Sequence, residues 1–183
     1  MNRSIERADL ITGLVFDLPH GPWMADVLRL RSKYEPARLR FPIEITVVGS
    51  SGLGWFSPRH DNAQLVRRVG EVAAKCTPFS FHFESVRCFP NTCVYYLSPR
   101  ESRPFVEFQE ELRACGLSYE TTPFAYTPHC TIVSLVDAND DMHSEVMSCH
   151  VPEHEIRVTS VSFYTVDRQA GCCYQRDRVN LGT

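Results

Sequence analysis

Apolar and polar residues alternate in several segments of the chain, and this alternation predicts β-strands. In residues 79–86, three phenylalanines alternate with a serine, a histidine and a glutamate, which is the pattern of a half-buried strand. The other strand segments are β-rich apolar runs bounded by proline, glycine or asparagine turns. The strands predicted in this way cover residues 10–17, 41–48, 79–86, 92–97, 128–133, 154–168 and 172–181.

A second periodicity, with apolar residues three and four positions apart, predicts helices that bury one face. It is clearest between residues 60 and 76, where Leu65, Val69 and Val72 recur at helical spacing. The other predicted helices run from residue 23 to 30, from 101 to 115, and from the acidic loop at 137–141 to about residue 148.

The predicted elements divide the chain into two halves with the same plan. In each half, a strand and a helix precede a strand that carries a threonine motif, and a second helix follows. Two related half-domains lying side by side would bring the two motif strands together in a cleft. The loop at residues 49–58 carries Trp55 and Phe56, which either form an exposed lid or pack back on the core.

The two motif strands hold the candidate chemistry. In the later strand, His129 and Thr131 follow a proline, and in the earlier strand Glu44 and Thr46 do the same. Alternate side chains of a strand share a face, so each threonine points to the same side as the histidine or glutamate two positions before it. Cys130 points to the other side, which argues against a cysteine nucleophile with His129 as its base.

Composition limits the class of protein. The 183 residues are 43% hydrophobic and 22% charged, with a net charge of -3, which is typical of a globular protein and not of one that coats nucleic acid. The eight cysteines are scattered, without the paired spacing of a zinc site, so we expect no metal and no cofactor. The first residues lack a signal-like apolar segment and no stretch is long enough to span a membrane, so a cytoplasmic location is expected.

The sequence resembles the two-histidine phosphoesterase superfamily, in particular its bacterial 2′-5′ RNA ligase-like and RNA 2′,3′-cyclic phosphodiesterase branch. The resemblance rests on order and spacing over nearly the whole chain. The matching segments are Leu18-Pro19, Phe41-Pro42-Ile43-Glu44-Ile45-Thr46, Phe89-Pro90-Asn91, Val94-Tyr95-Tyr96-Leu97, the helix from Phe105 to Leu112, Thr127-Pro128-His129-Cys130-Thr131-Ile132 and Phe163-Tyr164.

The resemblance implies a single α+β domain over residues 1–183, with two pseudo-symmetric lobes whose antiparallel sheets line a central cleft and whose helices lie outside. It also implies two facing His-x-Thr/Ser strands, in which one histidine is the base, the other is the acid, and the two hydroxyls hold the phosphate without a metal. His129, Thr131 and Thr46 match this pattern. Glu44 does not, because it stands where the first histidine is expected.

The substitution at position 44 leaves two assignments of roles open. An ionised Glu44 would be a base with protonated His129 as acid, but a carboxylate about 4 Å from a phosphodiester is repelled by roughly 4 kcal/mol at an effective dielectric of 20. That repulsion corresponds to about a thousandfold in rate unless a cation such as Arg38, Arg40, Arg87 or Arg100 offsets it. A buried, protonated Glu44 would instead be the acid, with His129 as the base.

These observations predict an enzyme that cleaves a 2′,3′-cyclic or 2′-5′ phosphodiester of a small nucleotide or RNA end. Phe124 and Tyr126, just ahead of the His129 strand, are candidates for stacking on a base. Two alternatives stay open. One is the same fold with changed Glu44/His129 chemistry on a small molecule that lacks the phosphodiester, as an isomerase, lyase or hydrolase. The other is a degenerate protein that binds a nucleotide or a partner without turnover.

Overall fold

The computed structural model describes residues 10–182 and contains nine strands and four α-helices in that range. The strands are β1 (Leu10–Asp17), β2 (Glu44–Val48), β3 (Phe79–Phe81), β4 (Phe83–Cys88), β5 (Cys93–Pro99), β6 (Cys130–Leu135), β7 (Ile156–Val158), β8 (Ser160–Asp167) and β9 (Cys172–Asn180). The helices are α1 (Ala25–Tyr34), α2 (Asn62–Ala73), α3 (Arg103–Ala114) and α4 (Asp140–Met147). Short 3₁₀ turns at Pro22–Met24 and Pro36–Arg40 flank α1.

Two antiparallel sheets form the two lobes. The first has the strand order β2-β1-β8-β9 and the second has the order β4-β5-β6, while β3 and β7 form a separate pair. In both lobe sheets, the motif strand is therefore an edge strand, β2 in one and β6 in the other. The predicted α+β architecture, with its two related lobes around a cleft, is confirmed.

The apolar face of the first sheet packs on α3 and the β3 strand through aromatic side chains. Phe16 of β1 contacts Phe79, Phe105 and Phe108, with ring centroids 5.1–5.6 Å apart. Residues at alternating positions of β2, Ile45 and Val47, are buried in the same core. Because the core takes these positions, Glu44 and Thr46 are left on the opposite face, as strand alternation requires.

The structure corrects the predicted bounds of several strands. The strand predicted at 128–133 begins at Cys130, so Pro128 and His129 precede it. The segment predicted at 79–86 is split at His82 and the one predicted at 154–168 is split at Thr159, because β3 and β7 leave the lobe sheets and pair with each other. Residues 41–43 are not part of β2. Pro42 has no N–H to donate to a sheet.

The loop at 49–58 does not form an aromatic lid. Phe56 is 3% exposed and stacks on Tyr119 with centroids 5.5 Å apart, and Trp55 is half-buried over Gly13. The loop is held against the segment before β6 by main-chain hydrogen bonds, such as Gly52 N to Phe124 O at 2.9 Å. The two aromatic residues therefore belong to the packing of the fold.

Candidate active site

A buried arginine joins the two motif strands. Arg31 of α1 is 1% exposed and donates from Nη2 to the Thr131 carbonyl at 2.7 Å and from Nε to the Ile132 carbonyl at 3.0 Å. Its Nη1 donates to the carbonyls of Phe41 and Pro42, at 3.0 and 3.1 Å, in the segment that leads into β2. The helix of the first half thus supplies donors to the free edge of the motif strand in the second half.

Side chains from the second half of the chain likewise donate hydrogen bonds to main-chain carbonyls of β2. Gln109 of α3, also 1% exposed, donates from Nε2 to the Val47 carbonyl at 2.8 Å, and the Tyr126 hydroxyl donates to the Thr46 carbonyl at 3.1 Å. Thr46 and Val47 of β2 occupy the positions that Thr131 and Ile132 occupy in β6. Each edge strand would leave main-chain carbonyls unpaired, and a side chain of the other lobe satisfies them. These bonds hold β2 and β6 on the two walls of one cleft.

Glu44 lies at the start of β2, and its carboxyl group is buried. Its Oε1 accepts a hydrogen bond from Thr46 Oγ1 at 3.1 Å, whereas its Oε2 is buried and has no hydrogen-bond partner among residues 10–182. The residue as a whole keeps some exposure, but this oxygen does not. Burial raises the pKa of Glu44, whereas the Thr46 hydroxyl and the charges of Arg31 and Arg38 lower it. The effect of burial is the largest, so the pKa rises from 4.5 to about 7.

This raised pKa predicts a pH-dependent stability difference between the wild type and Glu44→Gln. Glu44 binds its proton more tightly in the folded than in the unfolded chain, so the wild type should lose stability relative to the variant as the pH rises from about 4.5 through 7. The full difference should be about 3 kcal/mol. Urea unfolding at pH 5 and pH 8 would measure it.

The matched control is Glu111→Gln, which removes an exposed carboxylate from α3. Its unfolding free energy should differ from that of the wild type by the same small amount at both pH values. If the difference in unfolding free energy between Glu44→Gln and the wild type is also the same at pH 5 and pH 8, a buried and protonated Glu44 is contradicted.

His129 precedes β6 on the other wall, and its neighbours fix its tautomer. Nδ1 donates to the Thr127 carbonyl at 2.6 Å, which leaves Nε2 as the nitrogen with a free lone pair in the neutral ring. The imidazole lies edge-to-face against Phe89 and Tyr96, with centroids 5.0 and 5.3 Å away. Burial lowers the pKa of His129, and the hydrogen bond to Thr127 opposes this only in part. Both members of the pair are thus shifted toward their neutral forms.

The two threonines differ in their hydroxyl contacts. Thr46 is engaged by Glu44, while the Thr131 hydroxyl makes no hydrogen bond with any residue in the range 10–182. Cys130, between His129 and Thr131, points into the core, where burial raises the pKa of its thiol to about 12. Thr131 is therefore the free hydroxyl on the His129 side of the cleft.

Arg38 is the arginine, among the four considered from the sequence, whose charge acts on both Glu44 and His129. Its Nε is fixed by Glu35 at 2.7 Å, and Glu35 is itself held by the Ser134 N–H at 2.7 Å. Arg87 pairs with Glu84 on β4, and Arg40 bonds the Ala170 carbonyl in the β8–β9 turn.

The two predicted stacking residues lie in different surroundings. Tyr126 is half-buried, and its hydroxyl is used to bind the Thr46 carbonyl. Phe124 is 66% exposed and only its main chain is fixed, by Gly52. Phe124 is the one of the two with a free ring face.

Several residues near the candidate pair were not identified as site residues from the sequence. Phe89 and Tyr96 stack on each other with centroids 4.3 Å apart and form the wall behind His129. Asp17 is the main-chain partner of Glu44 across β1 and β2. In the sequence, Asp17 could be recognised only as a carboxylate at the end of an apolar strand. That position does not show that Asp17 is paired with Glu44.

Two surface pockets lie away from the motif strands. One, of about 280 Å³, is lined by residues that include His82, Arg100 and Glu153, and the other, of about 220 Å³, by residues that include His60 and Glu120. Neither contains a motif residue, so His82 belongs to a separate surface.

Two kinds of feature are absent from the part of the chain that the structure describes, a cluster of metal-binding side chains and a membrane-spanning helix. Between residues 10 and 182, no three His, Cys, Asp or Glu side chains are grouped so that they could hold a metal ion. Over the same residues, no helix combines the length and the apolar composition that crossing a bilayer requires.

Comparisons with known proteins agree with this geometry. The solved structure of E. coli LigT complexed with 3′-AMP is similar over 96% of this chain and 99% of that chain, with 14% identity and a TM-score of 0.58. The structure of TT0787 of Thermus thermophilus is similar over 93% of this chain and 97% of its own, with 16% identity and a TM-score of 0.63. These likenesses establish a shared fold.

The sequence itself carries the family assignment. A search of curated proteins found no significant match. The family model described as 2′-5′ RNA ligase superfamily matches residues 18–170, which include both motif strands and the helices that cross between the lobes. The chain therefore belongs to the 2′-5′ RNA ligase superfamily, within the phosphoesterase fold that the two-strand motif suggested.

Proposed function

We propose that this protein is a cytoplasmic, metal-independent phosphoesterase that hydrolyses a 2′,3′-cyclic or 2′-5′ phosphodiester of a small nucleotide or RNA end. Membership of the superfamily supports phosphoester chemistry. The fold shared with LigT, which has been solved with 3′-AMP and with ATP, supports a small nucleotide as the ligand class. Glu44 is the general acid and His129 is the general base.

The observation that carries this assignment is the protonation of the pair. Burial raises the pKa of Glu44 to about 7 and leaves its Oε2 without a partner, while His129 holds its proton on Nδ1 and has its pKa lowered. A protonated carboxyl can donate and a neutral imidazole can accept at neutral pH. The opposite assignment would need a protonated His129, which the lowered pKa of His129 disfavours, and an ionised Glu44 with a buried oxygen that has no hydrogen-bond partner within residues 10–182.

A neutral Glu44 also lowers the negative charge of the site. A phosphodiester is an anion, and an ionised Glu44 would repel it by several kcal/mol at contact distance. Protonation of Glu44 removes that repulsion, while Arg38 stays nearby as a cation paired with Glu35.

In the proposed reaction, His129 Nε2 takes a proton from water as the water oxygen attacks phosphorus. The bond from phosphorus to the 2′ or 3′ oxygen breaks, and that oxygen receives the proton of Glu44. One water is consumed, and the phosphate monoester or the two shorter fragments are released. The resulting imidazolium and carboxylate are returned to their starting forms through solvent. The Thr131 and Thr46 hydroxyls bind the phosphate oxygens, and Phe124 and Tyr126 lie on the substrate side of the cleft.

The test is hydrolysis of 2′,3′-cyclic nucleotides and 2′-5′-linked dinucleotides, followed by chromatography of the products. The wild type should turn over at least one of these substrates, and Glu44→Gln, which keeps the size but cannot supply the proton, should reduce kcat by about 10²- to 10⁴-fold. Glu111→Gln should leave it unchanged. Equal rates for wild type and Glu44→Gln would remove Glu44 from the mechanism.

A second candidate follows from the same substitution, because a Glu/His pair also suits proton abstraction or hydrolysis on a neutral small molecule. Glu44→His distinguishes the two. Restoring the family's pair should preserve or raise phosphodiesterase activity if that is the native reaction. A variant that gains phosphodiesterase activity which the wild type lacks would favour the changed chemistry. Ligand-induced thermal stabilisation without any product would favour a binding protein.

A further inference from the structure

Two carboxyl groups lie side by side on the cleft face of the first sheet. Asp17, the last residue of β1, is the antiparallel partner of Glu44, the first residue of β2. Directly paired residues of an antiparallel sheet project to the same face with their Cβ atoms about 5 Å apart. A charge on one carboxyl therefore acts on the other.

Asp17 is held by two serine hydroxyls and an arginine. Its Oδ2 accepts hydrogen bonds from Ser160 Oγ at 2.7 Å and from Ser162 Oγ at 2.8 Å, and it lies 3.2 Å from the guanidinium Nε of Arg178. Both serines are fully buried on β8. Donors that converge on one carboxylate oxygen stabilise its charged form.

The charges of Arg31 and Arg38 lower the pKa of Glu44, but both guanidinium groups make their hydrogen bonds to other partners. Arg31 uses its guanidinium on the carbonyls of the two motif segments, and Arg38 uses its Nε on Glu35. Neither forms a hydrogen bond or ion pair with Glu44 within residues 10–182. The remaining titratable groups that act on Glu44 from the packed elements are Tyr126, Cys130, Tyr164 and Cys173.

We propose that Asp17 is a positioning residue that keeps the proton on Glu44, by holding a fixed negative charge beside it across the β1–β2 pair. The inference rests on the proposed function in that it assigns Glu44 the role of acid. After Glu44 has given up its proton, the two adjacent carboxylates repel each other, which favours reprotonation of Glu44 before the next turnover. Asp17 touches neither the substrate nor the water in this scheme and acts only through Glu44.

The test measures the titration of Glu44 directly. Protein labelled with ¹³C at glutamate carboxyl carbons is titrated by NMR without substrate, with Glu44→Gln used to assign the resonance. Asp17→Asn keeps the shape of the side chain and removes the charge, so the midpoint of the Glu44 titration should move to lower pH. The alkaline limb of the kcat profile should move to lower pH by the same amount, since the acid is active only while protonated.

The control is Asp177→Asn, which removes a carboxylate from the opposite face of the same sheet, where Asp177 binds Asn62. It should leave the Glu44 midpoint where it is in the wild type. An Asp17→Asn variant that lowers kcat without moving the midpoint or the limb would show a merely structural role and overturn the proposal.

A second variant keeps the proposal testable should Asp17→Asn fail to fold. Arg178 is largely exposed, and Arg178→Gln removes the cation that partly offsets Asp17. The Glu44 midpoint should then rise, opposite to the effect of Asp17→Asn, and an unchanged or lowered midpoint would overturn the proposal. Shifts of the midpoint in a protein without phosphodiesterase activity would instead support the role of Asp17 and refute the proposed function.

Discussion

Replacing His129 by alanine is expected to reduce kcat for a 2′,3′-cyclic nucleotide by about 10²- to 10⁴-fold, because it removes the imidazole that immediately precedes β6. His129 is half-buried and contacts Phe89 and Tyr96, so the folded state should survive the change. Steady-state kinetics with chromatographic detection of the product, together with a thermal melt of each variant, would measure both effects.

The matched control is His82→Ala. His82 lies between β3 and β4 in a separate surface pocket, so the same substitution there should leave kcat near the wild-type value. Comparable losses in the two variants would mean that the effect comes from stability and not from chemistry. Full activity in His129→Ala would remove the histidine from the mechanism.

Replacing Arg31 by alanine is expected to lower the free energy of unfolding by about 3–5 kcal/mol. The change leaves the carbonyls of Thr131, Ile132, Phe41 and Pro42 without their donor in a buried or partly buried region. Because those carbonyls belong to both walls of the cleft, the variant should also lose most of its turnover. Urea unfolding followed by circular dichroism would measure the first effect.

Arg29→Ala on the same helix is the matched control for Arg31→Ala. Arg29 is exposed and pairs with Asp26 and Glu145 at the surface, so its loss should cost less than about 1 kcal/mol. Gln109→Ala should fall between the two, since it removes one buried donor from the Val47 carbonyl. If Arg31→Ala lowers the free energy of unfolding by no more than Arg29→Ala does, the buried guanidinium does not hold the two motif segments together.

Burial acts in opposite directions on the pKa values of Glu44 and His129. It raises that of Glu44 to about 7 and lowers that of His129. Each shift favours the neutral form of the group.

The sequence predicted the strand and helix order and the pair of motif strands from local periodicity and motif spacing, and its resemblance to the phosphoesterase superfamily implied the two-lobed α+β fold. The sequence also predicted, from side-chain alternation, that Cys130 points away from Thr131, and Cys130 is buried in the core. It erred at His82, at Thr159 and at residues 41–43, where strand pairing between distant segments set the boundaries.

The tertiary structure decided which contacts support those motifs. Arg31, Gln109 and Asp17 stand in no recognisable pattern, and each acts on a residue that the fold brings to it from another element. The protonation preference of Glu44 belongs to this second group. A pKa depends on burial and on neighbouring charges, which are properties of the packed chain, so the residue type could be read from the sequence but its ionisation required the fold.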